Sequence, residues 1–119
     1  MTKMWKRPTR KRLFKELDNI QRMARHRPVN MVIIYFSDGY GGTTSDMERL
    51  WRKDETILKL MDLSLQYRVV NVSSSDFGVS GKGTIIRFTV MPDKECQTNI
   101  DGEFMEQIMG MKFKGDKND

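Results

Sequence analysis

The chain has 119 residues, of which 38% are hydrophobic and 31% are charged, and its formal net charge at pH 7 is +5. This length is typical of one domain, and the composition is too apolar for a wholly disordered chain. The longest apolar run, residues 31–36, is far shorter than the roughly 20 residues of a membrane-spanning helix. No apolar stretch with a cleavage site follows the basic N-terminus. We therefore expect a cytoplasmic protein without a secretory signal.

Cysteine and histidine are too scarce for the common metal sites. Cys96 is the single cysteine and His26 the single histidine, which excludes an internal disulfide and a zinc cluster built on cysteines. The sequence pattern also provides no set of nucleophile, base and orienting group. We therefore expect no metal, no cofactor and no enzymatic activity.

Positive charge is concentrated at the N-terminus. Residues 1–27 contain ten Lys or Arg and two acidic residues, a balance of +8, whereas residues 28–119 contain 11 basic and 14 acidic residues, a balance of −3. A basic segment attached to a mildly acidic body indicates an anionic partner for that segment, such as nucleic acid or an acidic protein surface.

The basic segment is predicted to form an arm and a helix. Residues 1–8 form a flexible basic arm, and residues 9–26 have the spacing of an amphipathic helix. Four apolar positions share one side of this helix: Leu13, Leu17, Ile20 and Ala24. The opposite side is basic, with Lys11, Lys15 and Arg22 flanked by Arg25 and His26. Asp18 lies in the same basic row, within reach of Arg22 four positions later. Such a helix can pack on a core and still present a basic surface.

Residues 29–36 are rich in β-branched and aromatic side chains and predict a strand. This strand is apolar on both faces, so it needs cover on both sides. The Gly-rich residues 37–44 predict a loop. Ser45 and Glu48 then have the spacing of a capping box, which predicts a helix that starts there.

Asp54 falls at the centre of the apolar face of that helix, where a lone carboxylate is costly. We therefore predict a break, with Asp54 capping a second helix over residues 55–67. The second helix is apolar around most of its circumference, which predicts that it is the most buried element. A buried catalytic acid at Asp54 is the alternative.

Residues 68–77 and 84–91 predict two strands of a Gly-rich hairpin, followed by a helix over residues 101–112 and a frayed tail over residues 114–119. The expected fold is a single α+β domain over residues 9–113, with a three-stranded sheet and the order α-β-α(α)-β-β-α. Because hairpin strands are neighbours, the strand of residues 29–36 is expected at a sheet edge. Its hydrophobicity there predicts either that a helix covers it or that another chain adds to the sheet, as a homodimer or as a partner that adds a strand.

These patterns predict a small non-enzymatic nucleic-acid-binding protein with weak sequence preference, whose arm and helix contact phosphates. Trp5 in the arm is placed to stack on a base, and Lys82 in the hairpin is a second contact point. The predicted contact residues are Lys3, Trp5, Lys6, Arg7, Arg10, Lys11, Arg12, Lys15, Arg22, Arg25, Arg27 and Lys82.

The alternative is a protein-interaction module, in which the basic segment docks on an acidic protein surface or a nucleoprotein complex. In size and style the chain is similar to the inhibitors that phages and mobile elements direct against host nucleoprotein enzymes, including anti-CRISPR proteins. The acidic residues discriminate between the two functions. A nucleic-acid mimic would gather them on one face, whereas a DNA binder would keep them away from the basic surface.

Overall fold

The computed structural model describes residues 10–38, 43–64, 66–78, 82–92 and 102–116. These residues form α1 (Arg10–His26), β1 (Val29–Ser37), β2 (Thr43–Leu50), α2 (Lys53–Leu63), β3 (Tyr67–Phe77), β4 (Gly83–Pro92) and α3 (Gly102–Met109). The predicted α+β class is confirmed, and six of the seven elements match the type and, to within a few residues, the position that the sequence predicts.

The sheet has four strands, not the predicted three, in the order β2-β1-β4-β3. β1 pairs antiparallel with β2 and parallel with β4, and β3 pairs antiparallel with β4. Both edges of β1 are therefore occupied, and the prediction that residues 29–36 lie at a sheet edge is wrong. The homodimer expected through Val29 to Phe36 loses its basis for the same reason. An interior position suits a strand that is apolar on both faces.

β2 replaces the helix predicted to start at Ser45. Val32 pairs with Leu50 and Ile34 with Glu48, so the segment runs along β1. A capping box is a local signal worth about 1 kcal/mol. Pairing with an apolar neighbour satisfies the backbone groups along one edge of β2 and packs Leu50 against the core. The tertiary pairing therefore overrides the local helix signal.

All three helices contribute their apolar residues to a single core on one side of the sheet, called the helix face below. α1 lies against β3 and β4, α2 lies beside β2, and α3 contacts both α1 and α2. The rings of Phe88 in β4 and Phe104 in α3 are 5.7 Å apart, and Phe104 lies 6.5 Å from Phe14 in α1. This aromatic chain joins the sheet to two helices.

The other side of the sheet, called the second face below, carries the alternate strand residues. In β1 these are Met31, Ile33 and Tyr35, and none of them belongs to the core cluster of the helix face. The described helices pack into that cluster, so within the described chain the second face is formed by strand side chains. In β4, Ile86, Phe88 and Val90 are fully buried on the helix face and the alternate residues less so.

α2 differs from its prediction in two respects. It begins at Lys53 with Arg52 as the N-cap, so Asp54 is not the cap. Asp54 is exposed in the first turn and pairs with Arg52, whose Nη2 lies 2.9 Å from Asp54 Oδ2, which rules out a buried acid at this position. α2 is also not the most buried element, because Leu58 and Met61 are 67% and 54% exposed.

The start of β4 is tied to the segment between α1 and β1. The N–H of Thr84 donates to the carbonyl of Pro28 (3.0 Å) and to Oδ1 of Asn30 (3.1 Å). Gly83 makes this approach possible, because a Cβ atom there would overlap the side-chain amide of Asn30. These contacts place Lys82, the residue before β4, near the C-terminal end of α1.

The chain after α3 returns to the first strand. The N–H of Val29 donates to the carbonyl of Lys112 (2.9 Å), and the N–H of Lys114 donates to the carbonyl of Val29 (2.8 Å). Asp116 Oδ2 accepts from the N–H of Phe113 (3.2 Å) and lies 3.4 Å from Lys53 Nζ. Of the tail predicted over residues 114–119, residues 114–116 make these contacts and residues 117–119 lie outside the described residues.

Candidate nucleic-acid interface

The outer surface of α1 carries a row of four exposed cations, called the basic stripe below: Lys11, Lys15, Arg22 and Arg25. At 100° per residue these positions fall within an arc of about 80°, and they extend over about 21 Å of helix. The predicted apolar stripe lies opposite, with Leu13, Leu17, Ile20 and Ala24 buried. Core packing therefore fixes the direction in which the basic stripe points.

One carboxylate interrupts the basic stripe, as the sequence predicts. Arg22 Nη2 lies 3.0 Å from Asp18 Oδ2, and both side chains are more than half exposed. An exposed pair at this spacing contributes at most a few tenths of a kcal/mol, so it holds Arg22 only weakly. Four cations and one carboxylate leave the stripe with a formal charge of +3.

The remaining predicted contacts divide into three groups. Arg12 and Lys82 are exposed, Arg12 on the flank of α1 and Lys82 near the C-terminal end of that helix. Arg27 is half-buried and forms an ion pair with Asp76 of β3, so its guanidinium serves an internal contact. Lys3, Trp5, Lys6 and Arg7 lie outside the described residues, as does the side chain of Arg10.

Acidic residues gather on a different helix. Asp54, Glu55 and Asp62 are all exposed on the outer face of α2, where they surround Leu58 and Met61. α1 lies over the β3 side of the sheet and α2 over the β2 side, with α3 in contact with both. The fold thus keeps the basic stripe and the acidic face of α2 on separate helices.

A cavity of about 580 Å³ opens where β1 ends and β2 begins. The Phe36 and Tyr67 rings that line it are 5.6 Å apart, and three of its other lining residues are acidic: Asp38, Asp46 and Glu48. Glu48 Oε1 lies 2.7 Å from Lys59 Nζ. This concentration of carboxylates makes the cavity a poor site for a phosphate, which leaves α1 as the better anion surface.

The described part of the chain offers neither a metal site nor a membrane-spanning helix. It contains no group of three or more His, Cys, Asp or Glu side chains arranged to hold a metal ion. No helix in the same residues is long and apolar enough to cross a membrane.

Sequence reasoning missed two features of these surfaces. The ion pair between Arg27 and Asp76 joins residues 49 positions apart, and no local sequence pattern predicts such a contact. The exposure of Leu58 and Met61 was also missed. Three carboxylates near these two residues in the sequence, at positions 54, 55 and 62, are the signal that could have indicated an outward face.

The fold and this surface define a class: a two-layer α+β domain with a four-stranded mixed sheet and a basic outer helix. Comparison with known proteins found no matching family model, no matching curated protein and no matching solved structure.

Proposed function

We propose that the protein is a small non-enzymatic nucleic-acid-binding protein, and that the basic stripe of α1 contacts the phosphate backbone with weak sequence preference. The observation that carries this proposal is the opposition of two stripes on one helix. Four buried apolar residues anchor α1 to the core, and four exposed cations face directly outward. A rigid helix holds these cations in a fixed row at no further entropic cost to its backbone.

The dimensions of the stripe support the same ligand. Double-stranded DNA carries one phosphate per strand for every 3.4 Å of its axis, so a row of about 21 Å runs past about six base pairs. No carboxylate other than Asp18 lies among the four stripe positions. Lysine and arginine contacts to phosphate carry no sequence information, which is the basis for the weak preference.

A salt titration of the wild-type protein tests the proposal. Fluorescence anisotropy of a labelled duplex would be measured between 50 and 200 mM salt. With about five phosphates neutralised, the slope of log K against log salt is expected near −4 to −5, which corresponds to a loss of about 500-fold over this range. Lys15→Gln should reduce the slope by about one, whereas Lys59→Gln on α2 should leave it unchanged. Absence of duplex binding at 50 mM salt would refute the proposal.

A protein-interaction module is the second candidate function, and the outer face of α2 favours it. Leu58 and Met61 are exposed side by side at i and i+3, and Asp54, Glu55 and Asp62 surround them. Exposed apolar residues within an acidic rim suit a basic amphipathic segment of a partner protein, such as a component of a nucleoprotein enzyme. In this candidate function the protein acts as an inhibitor of the kind that phages and mobile elements encode.

A synthetic amphipathic helix of lysine and leucine probes this second function. If α2 is a docking face, the double variant Leu58→Asp/Met61→Asp should bind the peptide at least about tenfold more weakly than the wild type. Met109→Asp, at a residue of α3 that is 56% exposed, is the matched control and should bind normally. Equal affinity for all three proteins would rule out docking on α2.

A further inference from the structure

The four strands sort their charged side chains by face. The strands carry three arginines, Arg49, Arg68 and Arg87, and three carboxylates, Asp46, Glu48 and Asp76. Glu48 pairs with Lys59 of α2, Asp76 pairs with Arg27 at the end of α1, and Asp46 lines the cavity beside Glu48. All three carboxylates therefore lie on the helix face.

The arginines lie on the opposite side. Ile33 pairs with Arg49 on one side and with Arg87 on the other, so the three residues form one row across the second face. Arg68 pairs with Met91 on the same face, where it is buried. In the described strands, every charged side chain on the second face is therefore an arginine, and Arg49 is the exposed one.

Aromatic and soft apolar side chains lie beside this row. Tyr35 follows Ile33 on the second face and pairs with Met47, which is 43% exposed. Trp51, two residues beyond Arg49 at the end of β2, is 54% exposed. Successive same-face positions along a strand are about 6.8 Å apart, so Met47, Arg49 and Trp51 mark a track along the outer strand of the sheet.

We infer that the β2 edge of the second face, where Met47, Arg49 and Trp51 are exposed, is a binding surface for single-stranded nucleic acid. Bases stack on Trp51 and on the exposed part of Tyr35 while Arg49 contacts the backbone and the partly buried Arg87 adds positive charge behind it, which is the combination of cations and aromatic rings that single strands require. The charge of the face selects an anion, and the exposed tryptophan beside an arginine favours a ligand with exposed rings over a purely acidic surface. Arg87 donates to Ser75 Oγ, which holds its guanidinium over the sheet.

This surface is separate from the basic stripe, because α1 packs on the helix face. The inference depends on the proposed function only because both assume that the ligand is a nucleic acid. With both surfaces in use, one molecule would hold a duplex on α1 and a single strand on the sheet.

The test compares a single-stranded thymidine oligonucleotide with a duplex of the same length, by anisotropy at 50 mM salt. Arg49→Gln/Trp51→Ala should weaken single-strand binding by about 10- to 100-fold and change duplex binding less than twofold. Arg52→Gln/Met109→Ala, which alters an exposed arginine before α2 and an exposed apolar residue of α3, is the matched control and should change neither. In a Trp5→Phe background, the single strand should also quench the fluorescence of Trp51.

The outcomes separate the two surfaces. Unchanged single-strand affinity of Arg49→Gln/Trp51→Ala overturns the inference and leaves the function of α1 standing. Single-strand binding that needs Arg49 and Trp51, together with no duplex binding, supports the inference and overturns the role of α1. If polyglutamate binds through Arg49 and Trp51 and the oligonucleotide does not, the face docks acidic protein and the inference is wrong.

Discussion

Lys11→Glu/Lys15→Glu/Arg22→Glu is expected to lower duplex affinity on the order of a thousandfold at 50 mM salt. Each phosphate contact contributes through the release of about 0.9 counterions, and this release favours binding most strongly at low salt. If three of about five contacts are lost, the slope of log K against log salt falls from about −4.5 to about −1.8. All three side chains are exposed on α1, so the variant should fold normally.

The control for this variant has the same net charge. Three reversals change the charge by −6 and take it from +5 to −1, which weakens association with any polyanion. Arg52→Glu/Lys112→Glu/Lys114→Glu makes the same change at three exposed positions outside α1. This control should lose far less affinity than the stripe variant. Equal losses in the two proteins would mean that net charge, and not the basic stripe, determines binding.

Phe88→Ala is expected to give the largest loss of stability, about 3–5 kcal/mol. Phe88 is fully buried in β4, and its ring packs against Phe104 of α3, which in turn lies near Phe14 of α1. Truncation leaves a cavity at the sheet end of this aromatic chain, directly beneath Phe104. Because whole domains are stable by only about 5–15 kcal/mol, the variant should unfold at much lower urea concentration or fail to fold.

Two matched variants keep this prediction testable. Phe88→Leu retains most of the buried volume and should cost less than about 1.5 kcal/mol. Leu58→Ala removes a side chain that is 67% exposed and should change the free energy of unfolding by less than about 0.5 kcal/mol. Urea unfolding followed by circular dichroism measures all three. A loss below about 1 kcal/mol for Phe88→Ala would contradict the packing role of this ring.

Strong periodicity made much of the fold predictable. The spacing of Leu13, Leu17, Ile20 and Ala24 defines one side of α1, and all four are buried in the structure. The direction of the basic stripe follows from the same spacing, because a helix that buries one side must expose the other. This part of the candidate site therefore depends on sequence-local information alone.

The remaining part of the fold could not be predicted, because it depends on pairing between strands that are distant in the sequence. Of the eight residues of β2, only Met47 and Leu50 are large and apolar, so the segment lacks the alternation of apolar and polar residues that predicts a strand. Its structure depends on the partner strand β1, whose two apolar faces require an interior position. Once β2 was predicted as a helix, the row of Arg49, Ile33 and Arg87 could not be recognised, since it exists only across three paired strands.

The backbone contacts of Val29 with distant segments determine how early the protein can fold during its synthesis. Val29 pairs with Thr84, 55 residues downstream, and with Phe113 near the end of the described chain. The hairpin of β3 and β4 can form as soon as its own residues leave the ribosome, but the parallel pairing in the middle of the sheet must wait for β4. The hydrogen bonds of Val29 with Lys112 and Lys114 cannot form before residues 112–114 have been synthesised. The native sheet is therefore completed only after residues 112–114 have been synthesised, and until β4 has been synthesised the apolar strand β1 lacks one of its two neighbours.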